Sequence, residues 1–455
     1  MPMTRRIFLA QVAAAPAAAL APPFGPLAIR RGQSLPAIPD INGSRLRDTL
    51  ERLSVHGRPP GGTFADGVTR VAYTDADVAA RLFVMDLVRG AGLAPRIDPA
   101  GNIVARRAGA RTELPPVLFG SHIDSVPNGG NFDGPLGSLA ALEVMRTLGE
   151  RGVVTAHPLE MVIWSNEEGV AYGNGLSGSR AVVGEVIDGE MTQVWNGVAK
   201  ADALRRIGGD PARLAEARRL PGSIHGYVEL HIEQGGTLDH AKVPVGIVEG
   251  IVAIDRYEAV IRGTPNHAGT TPMPDRRDAL VAAAQLVLAV RDAVTREPGR
   301  QVGTVGQLTV TPNAPNVIPG LVRQTIELRD LSREKLARLA DTIRARAAEI
   351  AVASRTEIDI TLTSRHDAAL AAPAIQLAIE TAAHELGLTS VRLPSGAGHD
   401  AQMMARLGPM GMIFVPSIGG ISHSPKEATS WADCTRGANV LLRTVLAMDR
   451  MTVPS

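Results

Sequence analysis

The chain has 455 residues, more than one average domain and enough for two or three. Its 45% hydrophobic and 20% charged content fits a soluble globular enzyme, and a formal net charge of +1 gives no global field to recruit nucleic acid or an anionic membrane. The one cysteine, Cys434, excludes an intramolecular disulfide and a cysteine-rich zinc knuckle, so a metal would have to be held by His, Asp and Glu.

The chain starts MPMTRRIFLAQVAAAPAAALAPP. Arg5 and Arg6 precede a mild, Ala-rich apolar segment that ends in the small-x-small pattern Ala19-Leu20-Ala21. This is the pattern of a twin-arginine export signal over residues 1–21, with a frayed basic terminus as the alternative. No later stretch has the roughly 20 uninterrupted apolar residues of a membrane span. The expected location is periplasmic, with the mature chain starting near Pro22; cytoplasmic is the alternative. A Pro- and Gly-rich linker runs over residues 22–42.

From residue 43 to 248, helical and strand patterns alternate: GSRLRDTLERLSVHG, DADVAARLFVMDLVRGAG, PVLFGSH, SLAALEVMRTLGE, LEMVIWSNEE and GYVELHIEQG. Such alternation predicts a layered α/β sheet. Residues 249–366 then read as strand, helix, two strands, helix and strand, a compact split βαβ unit of the ferredoxin-like kind. It is inserted into the larger domain, which resumes over residues 367–455 with PAIQLAIETAAHELG and ends in the helix CTRGANVLLRTVLAMD. The expected fold class is thus α/β, a larger sheet domain with a smaller lid domain inserted.

Several polar residues interrupt this apolar framework. GSHIDSVPNGGNFDGPLG lies between a buried-strand pattern and a helix pattern and carries His122, Asp124 and Asp133. In an extended chain residues i and i+2 share a face, so the Asp124 carboxylate is placed to accept the second imidazole N–H of His122. The glycines allow Asp133 to fold back to the same point; the plainer reading makes Asp133 a helix cap and His122 a satisfied core histidine. The apolar run Met161–Trp164 delivers Asn166, Glu167 and Glu168 at a strand end, where ligands bind in α/β sheets, although adjacent glutamates also suit a solvated turn. Glutamates so placed can divide metal binding from proton transfer. His231 in GYVELHIEQGG and His423 in IFVPSIGGISHSPKE complete the set, and each alone reads as structural. Four apolar strands of the larger domain therefore end in, or contain, a histidine or acidic group.

In GSHIDSVPNGGNFDG, NEEG, ELHIEQG, NHAGTTPM, NVIPG and GISHSPKE, the chain resembles the dinuclear-metal amidohydrolases of the aminoacylase and carboxypeptidase-like metallopeptidase superfamily. It is most similar to the branch of N-carbamoyl-L-amino-acid hydrolases, allantoate amidohydrolases and β-ureidopropionases, from about Ser44 to Leu446. That resemblance implies two divalent ions per subunit, zinc first, with manganese, cobalt or nickel as alternatives. It implies His122, Asp133, Glu168, His231 and His423 as ligands, Asp133 as the bridge, Glu167 as general base and Asp124 as the partner of His122. In the lid it implies His267, Asn316 and Arg329 as substrate-binding groups, His267 also stabilising the oxyanion, Arg329 clamping a substrate carboxylate, and Gln234 contacting the ureido group. The plainer alternatives are a strand-end charge for Arg329 and a turn residue for Asn316.

The expected reaction is hydrolysis of a linear amide or ureido C–N bond in a small carboxylate-bearing molecule: N-carbamoyl-L-amino acids, giving amino acid, carbon dioxide and ammonia, or allantoate. The expected assembly, by analogy with dimeric relatives, is a homodimer without nucleic-acid or membrane partners. The alternatives are an aminoacylase or dipeptidase of the same superfamily, and a periplasmic metal- or solute-binding protein without catalysis.

Overall fold

The computed structural model describes residues 38–451. The leader expected over residues 1–21 and most of the linker lie outside the described residues. No helix among the described residues is long and apolar enough to cross a membrane.

The runs VLFGSH, LEMVIW, GYVELHI and MGMIFV form the strands Val117–His122, Leu159–Trp164, Gly226–Ile232 and Met410–Val415, and every residue in them is buried. Unbroken apolar runs suit parallel strands covered on both faces, where each fully buried Val, Leu or Ile stabilises by about 1.5–3 kcal/mol. The four lie side by side and parallel, in the order Leu159–Trp164, Val117–His122, Gly226–Ile232, Met410–Val415. Ile103–Arg107 borders this group antiparallel on one side and Val245–Ile251 on the other, within a nine-stranded sheet. Helices Pro135–Glu150 and Trp431–Met448 pack on each other and on the strands. All four parallel strands point their carboxyl ends the same way, which places the loops after them together.

A separate four-stranded antiparallel sheet has the order Val302–Thr311, Leu321–Asp330, Ala253–Arg262, Glu357–His366. Tyr257, Ala259, Ile261, Val322, Ile326 and Leu328 bury one face of it against helices Ala279–Arg296 and Arg333–Ser354. Asp278 and Ser332 cap those helices by accepting backbone N–H bonds in their first turns. Strand order and helix placement are those of the ferredoxin-like unit expected from the sequence. One boundary shifts. GIVAIDRYEAVIRG alternates as if it were one strand of the small lobe, but it is divided between the two sheets. Residues up to Ile251 pair in the large sheet, Val252 donates to the Ser395 carbonyl, and the small sheet begins at Ala253. Residues 250–253 are all buried across the change of sheet and alternation begins only beyond it, so the pattern alone does not show where the chain passes from one sheet to the other.

Candidate active site

The loops after the four parallel strands converge on a cavity of about 240 Å³ lined by Asp133, Glu167, Glu168, Leu176, His231, Gln234, Ala397, Gly398, His399 and His423. Each enters through a locally required conformation. His122 is the last residue of its strand, and the Gly-rich loop carries Asp133 back over it. Gly134 follows at φ 81°, and a Cβ there would overlap the His122 ring, so only glycine lets the loop close on the imidazole. Pro135 then starts the next helix, where its missing N–H costs nothing. After Trp164 the chain turns through Asn166 in the left-handed region at φ 51°. The Asn166 amide donates to Ser177 Oγ and to the Asn174 carbonyl, holding the turn that projects Glu167 and Glu168 inward.

Asp133 is the centre of the arrangement. His122, Asp133 and His231 present donor atoms within 4.8 Å of one another, and so do Asp133, Glu168 and His423. Asp133 Oδ1 lies 3.1 Å from His231 Nε2 and 3.8 Å from His122 Nε2. Asp133 Oδ2 lies 3.3 Å from His423 Nε2, which is 3.4 Å from Glu168 Oε2. The two oxygens of one carboxylate thus face two different donor groups. His231 Nε2 is buried and, although close to Asp133, makes no hydrogen bond, a state that suits a ligand atom. Nitrogen and carboxylate donors in this number suit divalent transition metals. Glu167 belongs to neither donor group; its Oε2 stands 3.6 Å from His122 Nε2.

Burial first, and then the charges of Asp400 and Glu168, hold the Glu167 carboxyl well above the usual carboxylate range. Glu168 is raised in the same way, by burial and then by Asp133 and Asp124. Burial pushes His122 down to about 4, so it is neutral near pH 7, the form that ligates. For Asp133 burial alone would act upward, but His231 and His423 outweigh it and keep the carboxylate ionised.

A backbone carbonyl stands closer to the His122 ring than the expected carboxylate does. His122 Nδ1 lies 3.1 Å from the backbone carbonyl of Asp124, and the Asp124 carboxylate stands farther off, 3.7 Å away at Oδ1. That carboxylate instead accepts the backbone N–H groups of Glu167 and Glu168, at 3.2 and 3.3 Å. The i and i+2 rule holds in an extended segment, and the chain leaves its strand at His122. Asp124 therefore orients the two glutamates.

Gln234 reaches the cavity and donates through Nε2 to Asp133 Oδ2 at 2.7 Å. The lid residues do not line it. His267 and Asn316 adjoin each other on the small lobe, where the Ala268 N–H donates to the Asn316 carbonyl, and both are exposed. Arg329 comes nearer: its Nη1 donates to the Gly396 carbonyl at 2.6 Å, next to the cavity residues Ala397 and Gly398, while its Nε bonds Glu327. Sequence reasoning passed over His399 and Asp400. Their ring and carboxyl are fully buried, and the His399 ring sits 4.4 Å from that of His231. A His-Asp pair in the glycine-rich turn SGAGHDA after a strand was the available signal.

A mixed sheet whose four central parallel strands carry at their carboxyl ends two His/carboxylate donor groups sharing one aspartate, with another glutamate beside them, defines a class: an α/β core able to hold paired cations. Residues 118–447 match Peptidase family M20/M25/M40. The chain is 42% identical over 406 residues to the N-carbamoyl-L-amino acid amidohydrolase of Geobacillus stearothermophilus, covering 89% of this chain and 98% of that protein. It is 35% identical over 414 residues to the ureidoglycolate hydrolase of Arabidopsis thaliana, covering 89% and 86%. A crystal structure of a hydantoinase/carbamoylase family amidase from Burkholderia multivorans has a TM-score of 0.84 at 35% identity, covering 92% of this chain and 100% of that one. The chain belongs to peptidase family M20/M25/M40 and, within it, groups with the hydantoinase/carbamoylase amidases; it is a hydrolase of that family.

Proposed function

We propose that this hydrolase cleaves the C–N bond of a linear ureido or amide group in a small carboxylate-bearing molecule, N-carbamoyl-L-amino acids or allantoate foremost. The observation that carries this reading is the Asp133 carboxylate facing two donor groups, with Glu167 left free beside them. His122, Asp133 and His231 would hold one divalent ion, and Asp133, Glu168 and His423 the other. Zinc suits the donors first, and manganese, cobalt or nickel also fit. Bound ions supply polarisation of the scissile carbonyl and acidify water. Glu167 Oε takes the proton of the attacking water and delivers it to the leaving nitrogen. Gln234 is placed to meet the ureido group once its amide leaves Asp133.

Arg329 would offer a planar fork to the substrate carboxylate at the seam between the lobes by exchanging its present partners, Glu327 and the Gly396 carbonyl. Its bond to Gly396 supports a carboxylate site next to the cavity wall. Arg329→Ala is expected to raise KM about 10- to 100-fold for N-carbamoyl-amino acids, the worth of a hydrogen bond to a charged group, with kcat little changed. An unchanged KM rejects the role. His267 and Asn316 reach a cavity either by closure of the small lobe or by entering the partner subunit's site in a homodimer, where His267 stabilises the oxyanion.

The deciding experiment is a substrate panel on metal-reconstituted protein: allantoate, β-ureidopropionate, and N-carbamoyl, N-formyl and N-acetyl amino acids. Fastest turnover of an N-acetyl amino acid would favour an aminoacylase instead. Export rests on Arg5-Arg6; Lys in place of both should retain the protein in the cytoplasm, as fractionation would show, and normal export of that variant refutes it.

A further inference from the structure

We propose that Glu427 is a positioning residue for Asp133, its buried carboxylate setting how tightly the paired-cation site holds its ions; this rests on the metal reading above. Glu427 is 6% exposed and joins a loop 294 residues away in sequence. Its Oε1 accepts the backbone N–H groups of Phe132 and Asp133, at 2.9 and 3.0 Å. Its Oε2 accepts from Ser422 Oγ at 2.9 Å, and that hydroxyl lies 2.8 Å from Asp133 Oδ2. One side chain therefore holds Asp133 by its backbone, and the single proton of the Ser422 hydroxyl is shared between the Glu427 and Asp133 carboxylates. The loop is shaped around it, since a Cβ on Gly130 would overlap the Glu427 carboxylate.

A carboxylate in this position is expensive to keep. It meets only neutral donors, and no Lys, Arg or His pairs with it among the described residues. A buried polar side chain answered only by hydrogen bonds costs stability that an apolar residue would not. A function for that cost is at hand: groups just outside a metal's ligands orient them, and losing such a group typically weakens metal binding about 10- to 100-fold. Glu427 and His423 also share the segment ISHSPKE, so one loop both supplies a donor to the second group and fixes the shared aspartate.

Two conservative variants separate position from charge. Glu427→Gln keeps the reach and an acceptor oxygen for both N–H groups but loses the charge. Glu427→Asp keeps the charge but is one methylene too short. Metal affinity is read by competition with a chromophoric chelator, and folding by thermal unfolding of the metal-free protein. The expected result is binding within a few-fold of the parent for Glu427→Gln, and a loss of about 10- to 100-fold for Glu427→Asp and Glu427→Ala. Parent-like affinity in Glu427→Asp overturns the proposal, and so does a Glu427→Gln protein as weak as Glu427→Ala. A lower unfolding temperature with unchanged affinity would make the role structural only and also overturns it. If the parent protein itself binds fewer than two ions, the metal reading has failed, and that outcome is distinguishable from all of these.

Discussion

Glu167→Gln is expected to remove turnover while leaving metal content as it is in the parent. Glu167 stands outside both donor groups, so its amide analogue takes no ligand away. The side chain is nearly the size of the original and stays within reach of His122, but it cannot accept a proton from water. General acid–base groups contribute about 100- to 10,000-fold, and in the proposed mechanism Glu167 would serve both halves of the reaction, so kcat should fall toward the upper end of that range. KM should change little, because the proposed mechanism gives binding of the carboxylate to Arg329 and not to Glu167. Metal analysis and steady-state kinetics on the same preparation check this. Substantial turnover with full metal occupancy would reassign the proton transfer to another group, and His399, buried on the same cavity, would be the first to examine.

Asp133→Asn should have the opposite signature: activity at background and metal lost from both positions together. Asp133 is the one side chain common to the donor groups His122/Asp133/His231 and Asp133/Glu168/His423. An amide is close to isosteric, and the backbone bonds from Phe132 and Asp133 to Glu427 do not involve the changed atoms. The metal-free variant should therefore fold. Its affinity should fall by more than the about 10- to 100-fold that follows loss of a group outside the ligands. Metal content after dialysis against a weak chelator, followed by titration with zinc or manganese, reads this directly. A variant that still holds two ions per chain would show that Asp133 is not shared between them.

The alternation of apolar strands with helices made the α/β class legible from the sequence, and strand–helix–strand–strand–helix–strand made the inserted lobe legible, because those patterns are local. The cluster of polar side chains was legible too, for a physical reason: His and paired carboxylates at the ends of apolar strands are costly, and few structural roles need them. His122, Asp133, Glu168, His231 and His423 all converge on one cavity wall or its immediate edge.

What the sequence by itself determined was therefore which elements form and which polar side chains stand out at their ends. Only the tertiary structure decided what those side chains touch. It gave Asp124 to the backbone of Glu167 and Glu168 instead of to the His122 ring, joined Glu427 to a loop far away in sequence, brought His399 and Asp400 under the cavity, and left His267 and Asn316 on the open surface of the small lobe. Periodicity and motif spacing are properties of the chain over a few residues. Hydrogen bonds between distant loops depend on how sheets and helices stack, and short-range pattern carries no record of that.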